Sequence, residues 1–153
     1  MMEIVGALLT RRRQACIAGA LMLMWLVSLA LPVARIAQHG GGEIPGLTVL
    51  LIGWYRLFGL QIEWLANPVL VLLLPIIAFA TRPWRVVLFV GAIVLAVSGV
   101  SALSWNDRAD AAPGDSITSY GPGFYLWLAA VFGTAITAFA KAIMEDRPDN
   151  DTI

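Results

Sequence analysis

The sequence predicts an all-α membrane protein: four transmembrane helices plus a short interfacial or re-entrant helix after the first. Three observations predict it. The 153 residues are 59% hydrophobic and only 13% charged, with a mean hydropathy of +0.81, whereas soluble domains are roughly 45–50% apolar and about 25% charged. Four windows approach the roughly 20 apolar residues that cross a ~30 Å hydrocarbon core. Lys and Arg are distributed unevenly between the connections on the two sides of those windows. A water-soluble fold of this size could not bury so much apolar surface, so one transmembrane domain over residues 1–153 is expected, with the lipid bilayer as its first partner.

The first span is placed at residues 15–34, after Arg11, Arg12 and Arg13 and before Arg35. A signal peptide competes, because a basic stretch and an apolar run describe both, and Ser28-Leu29-Ala30 would serve as a weak cleavage site. The run continues through Leu31-Pro32-Val33-Ala34, which favours a retained helix. Residues 46–80 are too long for one crossing, since at about 1.5 Å per residue they would reach roughly 52 Å. Proline removes a backbone donor and clashes with the preceding turn, so Asn67-Pro68 and Pro75 are the expected break points. Residues 46–60, with Trp54, Tyr55 and Arg56, are expected to form the interfacial or re-entrant helix, and 62–80 the second span. Residues 86–104 form the third, tied to the second by a short linker around Arg82-Pro83-Trp84-Arg85. Residues 122–144 form the fourth. Residues 105–121, rich in Asp, Gly, Pro and Ser, read as an exposed loop. Residues 1–10 read as a short tail and 145–153 as a disordered one.

With the amino terminus inside, Arg11, Arg12, Arg13, Arg82, Arg85, Lys141 and Arg147 lie in the cytoplasm, and Arg35, Arg56 and Arg108 lie outside. Seven against three orients the chain with both ends cytoplasmic. Trp64 and Trp105 then fall at one aromatic belt and Trp84 at the other.

Between helices in lipid, small residues and hydrogen bonds supply much of the attraction. Ala129, Gly133 and Thr137, at four-residue spacing, make a candidate packing face on the fourth helix, with Ala130, Thr134 and Ala138 beside them. It serves either packing within the bundle or self-association.

One polar constellation stands out. If the chain were helical from Arg56 to Asn67, then Arg56, Glu63 and Asn67 would share a stripe, because steps of seven and four residues return to nearly the same face. Ionisable groups at membrane depth tend to face a cavity and pair, so the stripe is a candidate polar pocket near the outer surface. The competing reading has Arg56 and Glu63 reaching to water at the interface, with Asn67 capping a helix that begins at Pro68.

No catalytic, cofactor or metal site is expected. Cys16 and His39 are the only residues of their kinds, too few for a zinc site of Cys and His ligands. Cys16 reads as a small buried hydrophobe. Asp107, Asp110 and Asp115 lack EF-hand spacing, and Gly40-Gly41-Gly42 lacks the context of a phosphate loop. A net charge of zero offers no nucleic-acid surface.

Trp64-Leu65-Ala66-Asn67-Pro68, Gly123-Phe124-Tyr125-Leu126-Trp127-Leu128 and Gly53-Trp54 resemble segments of small, uncharacterised four-helix inner-membrane proteins of bacteria. The resemblance implies a topology and a compartment, and no activity. The function expected is that of a non-enzymatic membrane protein, an accessory or scaffold subunit with a membrane-protein partner. The alternative is a self-associating (homo-oligomeric) pore or transport element using Ser98, Ser101, Thr134 and Thr137.

Overall fold

The computed structural model describes residues 2–36, 42–55, 62–79, 82–105 and 117–144. They are mostly helical: α1 (Met2–Ala30), α2 (Gly46–Gly53), α3 (Ala66–Phe79), α4 (Arg85–Leu103) and α5 (Pro122–Met144), with three short strands, β1 (Pro32–Ile36), β2 (Gly42–Pro45) and β3 (Ile117–Tyr120). Four stretches are long and apolar enough to cross a membrane: Arg11–Ala30, Ile62–Phe79, Arg85–Leu103 and Pro122–Met144.

These four helices pack in the cyclic order α1, α3, α4, α5, with α3 also touching α5 across the centre. Helix α4 shows why the sequence packs this way. Val86, Val90, Ile93, Val97 and Val100 form an exposed apolar stripe at helical spacing, while Leu88, Gly91, Ala92, Leu95, Ser98, Gly99 and Ala102 point inward. The small residues face the neighbouring helices and the large β-branched ones face out, the arrangement expected of helices packing in lipid. The core runs through Leu21, Leu70, Leu73, Ile77, Leu88, Leu95 and Val131.

Contacts settle which ends lie together. Lys141 of α5 reaches Gln14 of α1 and the last turn of α3. At the other end, the chain just after α1 meets the start of α2 (Gly46 N–H to Leu31 O, 3.0 Å), and β1 meets the approach to α5 (Gly121 N–H to Val33 O, 2.9 Å). The early part of α1 and the late part of α5 therefore share one end of the bundle, and the strands close the opposite end.

The structure departs from the sequence expectations in several places. The fold is not all-α, because the strands pair in the order β2-β1-β3, antiparallel throughout. Proline lacks a backbone donor and ends a helix, so residues 32–34, assigned to the first span, leave α1 and enter β1. Arg35 lies opposite Glu43 on one side and Ser119 on the other. β3 lies within the segment read as loop. Its residues, Ile117, Thr118, Ser119 and Tyr120, include the β-branched and aromatic types that suit a pleated surface. Helix α1 starts at Met2, so residues 2–10 are not a tail. Helix α2 ends at Gly53, followed by a 3₁₀ turn at Trp54 and Tyr55. Cys16 is exposed, not buried. Residues 56–60, the Gly40-Gly41 pair, the three loop aspartates and the 145–153 tail lie outside the described residues.

The proposed break at Asn67-Pro68 takes a mild form. Ile62–Leu65 is a 3₁₀ turn running into α3, and Pro68 sits in the first turn of α3, where its missing N–H would have no intrahelical partner anyway. The helix continues through Pro75 to Phe79.

Glycines mark the closest approaches. A Cβ on Gly123 would lie 2.8 Å from Leu31 O and 3.0 Å from Pro32 O and Ser28 O, all backbone carbonyls. Gly133 differs, since its nearest atom would be the flexible Leu21 Cδ2 at 2.6 Å. Gly133→Leu should cost about 1–3 kcal/mol, the usual range for overpacking, read as a lowered midpoint of unfolding in detergent. A parental midpoint would show that Leu21 swings clear.

Candidate functional site

A cavity of about 90 Å³ lies at the strand-closed end of the bundle. Leu29 of α1, Val33 of β1 and Val49 and Leu50 of α2 line it, together with Glu63, Trp64, Asn67, Trp105, Phe124 and Trp127. Hydrogen bonds and ring contacts between elements position the polar and aromatic lining residues.

Helix α2 lies over the cavity because glycines let it approach. A Cβ on Gly46 would meet the backbone of Ser28 and Leu29, and one on Gly53 would overlap the Trp64 ring. The Trp64 indole donates from Nε1 to Leu50 O at 2.9 Å, tying the turn before α3 to α2. The outer surface of α2 exposes Leu47, Leu51 and Ile52, followed by Trp54 and Tyr55.

Asn67 is the polar hub. It is buried on α3. Trp25 Nε1 of α1 and Trp127 Nε1 of α5 both donate to its Oδ1 at 3.0 Å, and its own Nδ2 donates to Trp64 O at 3.3 Å. One amide thus joins three helices. This replaces the capping role considered from sequence: Asn67 lies inside α3, not before it, and its oxygen is directed across the bundle.

Glu63 is partly buried in the 3₁₀ turn, where its Oε1 accepts from Ser101 Oγ of α4 at 2.8 Å. Ser98 Oγ donates to Ile62 O one helical turn away, at 3.2 Å. The structure therefore brings Glu63 and Asn67 to the same cavity. Arg56 lies outside the described residues. Because Ile62–Leu65 is a 3₁₀ turn, the 100° step assumed for the stripe does not carry across this segment, and the two residues meet through the cavity instead. At this end Arg35 and Glu43 pair across β1 and β2 at 2.8 Å, with both side chains well exposed, and such surface pairs contribute about 0–1 kcal/mol.

The remaining walls are aromatic. The Tyr120 and Phe124 rings stack with centroids 4.1 Å apart and planes at 12°. Trp105 and Trp127 extend this array, with centroids 6.5 and 6.3 Å from Phe124.

No family model, curated protein or solved structure matches the chain. The site therefore has to be read from its own geometry. Five residues from the stretches that carried the resemblance line this cavity: Gly53, Trp64, Asn67, Phe124 and Trp127. Trp64 and Trp105, assigned from sequence to an aromatic belt, are cavity walls. The roles of Trp25, Trp127 and Ser101 were missed. The available signal was the presence of Trp64, Asn67 and Trp127 within those stretches, but nothing local shows that they meet.

On α5, the small residues divide between two faces. Ala130, Thr134 and Ala138 are fully buried, Gly133 and Thr137 are half-buried, and Ala129 is exposed. Thr134 and Thr137 donate to Ala130 O and Gly133 O, both at 2.7 Å. Between α4 and α5 an open lateral groove runs past Ala92, Ala96, Phe132, Ala135 and Phe139. Among the described residues, no group of three or more His, Cys, Asp or Glu could hold a metal ion.

At the opposite end, Lys141 is only 4% exposed. Its Nζ donates to Ile77 O at 2.8 Å, to Gln14 Oε1 at 3.3 Å and to Ile76 O at 3.5 Å. Carbonyls in the last turn of a helix lack intrahelical donors, and a cation there also meets the negative end of the helix dipole. Lys141 thus caps α3.

Proposed function

We propose that this chain is a four-span protein of a bacterial inner membrane with both ends in the cytoplasm. It acts as a non-enzymatic accessory or scaffold subunit that receives a partner's transmembrane helix in the groove between α4 and α5. The observation that carries the reading is the composition of that groove. Ala92, Ala96 and Ala135 form its floor, and Ile93, Phe132, Ile136 and Phe139 flank it. Small residues allow a second helix backbone to approach closely, which is how helices associate where lipid removes the hydrophobic drive. The membrane assignment is supported by the exposed apolar surfaces of the four long helices, with Leu23, Leu72, Val86 and Ile136 each at least 62% exposed. The excess of Lys and Arg on the end shared by early α1 and late α5 supports the orientation.

The pore alternative is less well supported. The hydroxyls of Ser98, Ser101, Thr134 and Thr137 each donate to an acceptor within the chain, so they do not form a continuous polar path. Purification in a mild maltoside detergent should recover a complex with a second membrane protein in fixed stoichiometry. Ala96→Phe, which fills the groove, should release this chain as a folded monomer. A homo-oligomer that Ala96→Phe dissociates would favour self-association. A parent chain that is monomeric from the start would remove both readings.

A further inference from the structure

The outer face of α1 sets exposed charge directly before exposed apolar surface. The span Arg11–Ala30 has 20 residues, about 30 Å at roughly 1.5 Å per residue, which matches a hydrocarbon core of ~30 Å. Arg11, Arg12 and Arg13 therefore lie at headgroup level when this span crosses a bilayer. All three are exposed. Among the described residues, no carboxylate pairs with any of them. Successive helical residues turn by about 100°, so the three guanidinium groups fan over roughly 200° of the helix.

Arg12 is the central one. Cys16, Gly19, Leu23 and Leu26 follow it at helical spacing and return to nearly its face. Cys16 and Gly19 are small and exposed, and a Cβ on Gly19 would meet nothing within 4 Å. Leu23 and Leu26 are also exposed. A cation thus stands over a shallow stretch of helix, and an apolar ridge continues from it along the span. One phospholipid molecule has the same profile, with its phosphate at the arginines and an acyl chain along Gly19, Leu23 and Leu26. Guanidinium groups meet phosphate oxygens through paired N–H bonds. Net headgroup charge then discriminates between lipids. A zwitterionic headgroup brings an ammonium beside the guanidinium groups, whereas an anionic one does not. Each Lys or Arg near an anionic lipid surface favours it by about fivefold.

We propose that this face of α1 is a binding site for an anionic phospholipid, held by Arg11, Arg12 and Arg13. The inference rests on the four-span membrane reading and is independent of the scaffold role. A chain that stays in solution without detergent would defeat the membrane reading, whereas the lipid site is decided in detergent by relative affinity.

The test is native mass spectrometry of the purified full chain in maltoside detergent. It is titrated with phosphatidylglycerol and, separately, with phosphatidylcholine carrying the same acyl chains. Phosphatidylglycerol should bind at least about fivefold more tightly. Arg12→Gln should weaken phosphatidylglycerol binding by about fivefold and leave phosphatidylcholine binding unchanged, while Arg12→Lys, which keeps the charge, should stay within about twofold of the parent. A preference lost only when all three arginines become glutamine supports the site with the cations sharing the phosphate. Arg35→Gln removes a charge at the strand-closed end and should alter neither affinity; an equal loss there would reduce the effect to net charge and overturn the proposal. The parent-chain comparison stands by itself if a variant does not fold. Equal affinity of the parent for the two lipids, or a preference that survives replacement of all three arginines, would also overturn it. So would displacement of the lipid by inorganic phosphate at the same concentration, which would identify a soluble anion as the occupant.

Discussion

Asn67→Leu is expected to lower the unfolding free energy in detergent by about 2–4 kcal/mol. The substitution is close in volume, so the cost is not mainly a void. It removes the acceptor shared by Trp25 and Trp127 and the bond from Asn67 to Trp64 O. Interhelical hydrogen bonds in membranes average only about 0.6 kcal/mol, because the unfolded state in the membrane also finds partners. The larger contribution comes from two indole donors left without their acceptor, Trp25 buried and Trp127 partly buried, at about 1–3 kcal/mol for a buried unsatisfied group. The two effects separate in a double-mutant cycle. Trp127→Phe removes one of those donors, so Asn67→Leu in that background should cost markedly less than in the parent. Strict additivity would mean that the Trp127–Asn67 bond contributes nothing.

Lys141→Met should destabilise the protein by about 2–3 kcal/mol, although it replaces a cation with an apolar side chain in an apolar bundle. The opposing effects can be weighed. Inserting a lysine at the centre of a membrane helix is unfavourable by about 2.5–3.5 kcal/mol, but Lys141 lies in the last turn of α5, where that cost falls. In return it satisfies the end of α3, and bonds to charged groups contribute about 1.5–3 kcal/mol. Methionine would leave the Ile76 and Ile77 carbonyls without this partner in an apolar setting. Thermal unfolding of the two proteins in the same detergent reads the difference. A variant as stable as the parent would show that water or detergent satisfies those carbonyls and that Lys141 is only an interfacial anchor.

These two residues show where sequence reading succeeds and where it stops. The four long helices were legible because each is a continuous apolar run near the membrane-crossing length, and the fourth was placed at 122–144, the bounds of α5. Lys141 was legible only as a positive charge for orientation, because its function depends on the end of α3, more than 60 residues away. Asn67 was singled out as a polar group at membrane depth, but its partners lie on two other helices. The sheet was missed for the same reason. Its strands are four or five residues long, and β1 pairs with a segment far along the chain, as the Thr118–Arg35 bond illustrates. Glu63 was legible as a charge beside an apolar run, whereas its contact with Ser101 follows from the packing of α4.

The central claim is that four helices cross the membrane, with both chain ends on the cytoplasmic side and the strand-closed end outside. Cysteine labelling in intact bacterial cells tests it most directly. In a Cys16→Ser background, Ser119→Cys places a thiol on exposed β3, and Ile153→Cys places one at the carboxyl end. A membrane-impermeant maleimide should label the first in intact cells and the second only after permeabilisation. Equal labelling of both positions before permeabilisation would contradict the four-span arrangement.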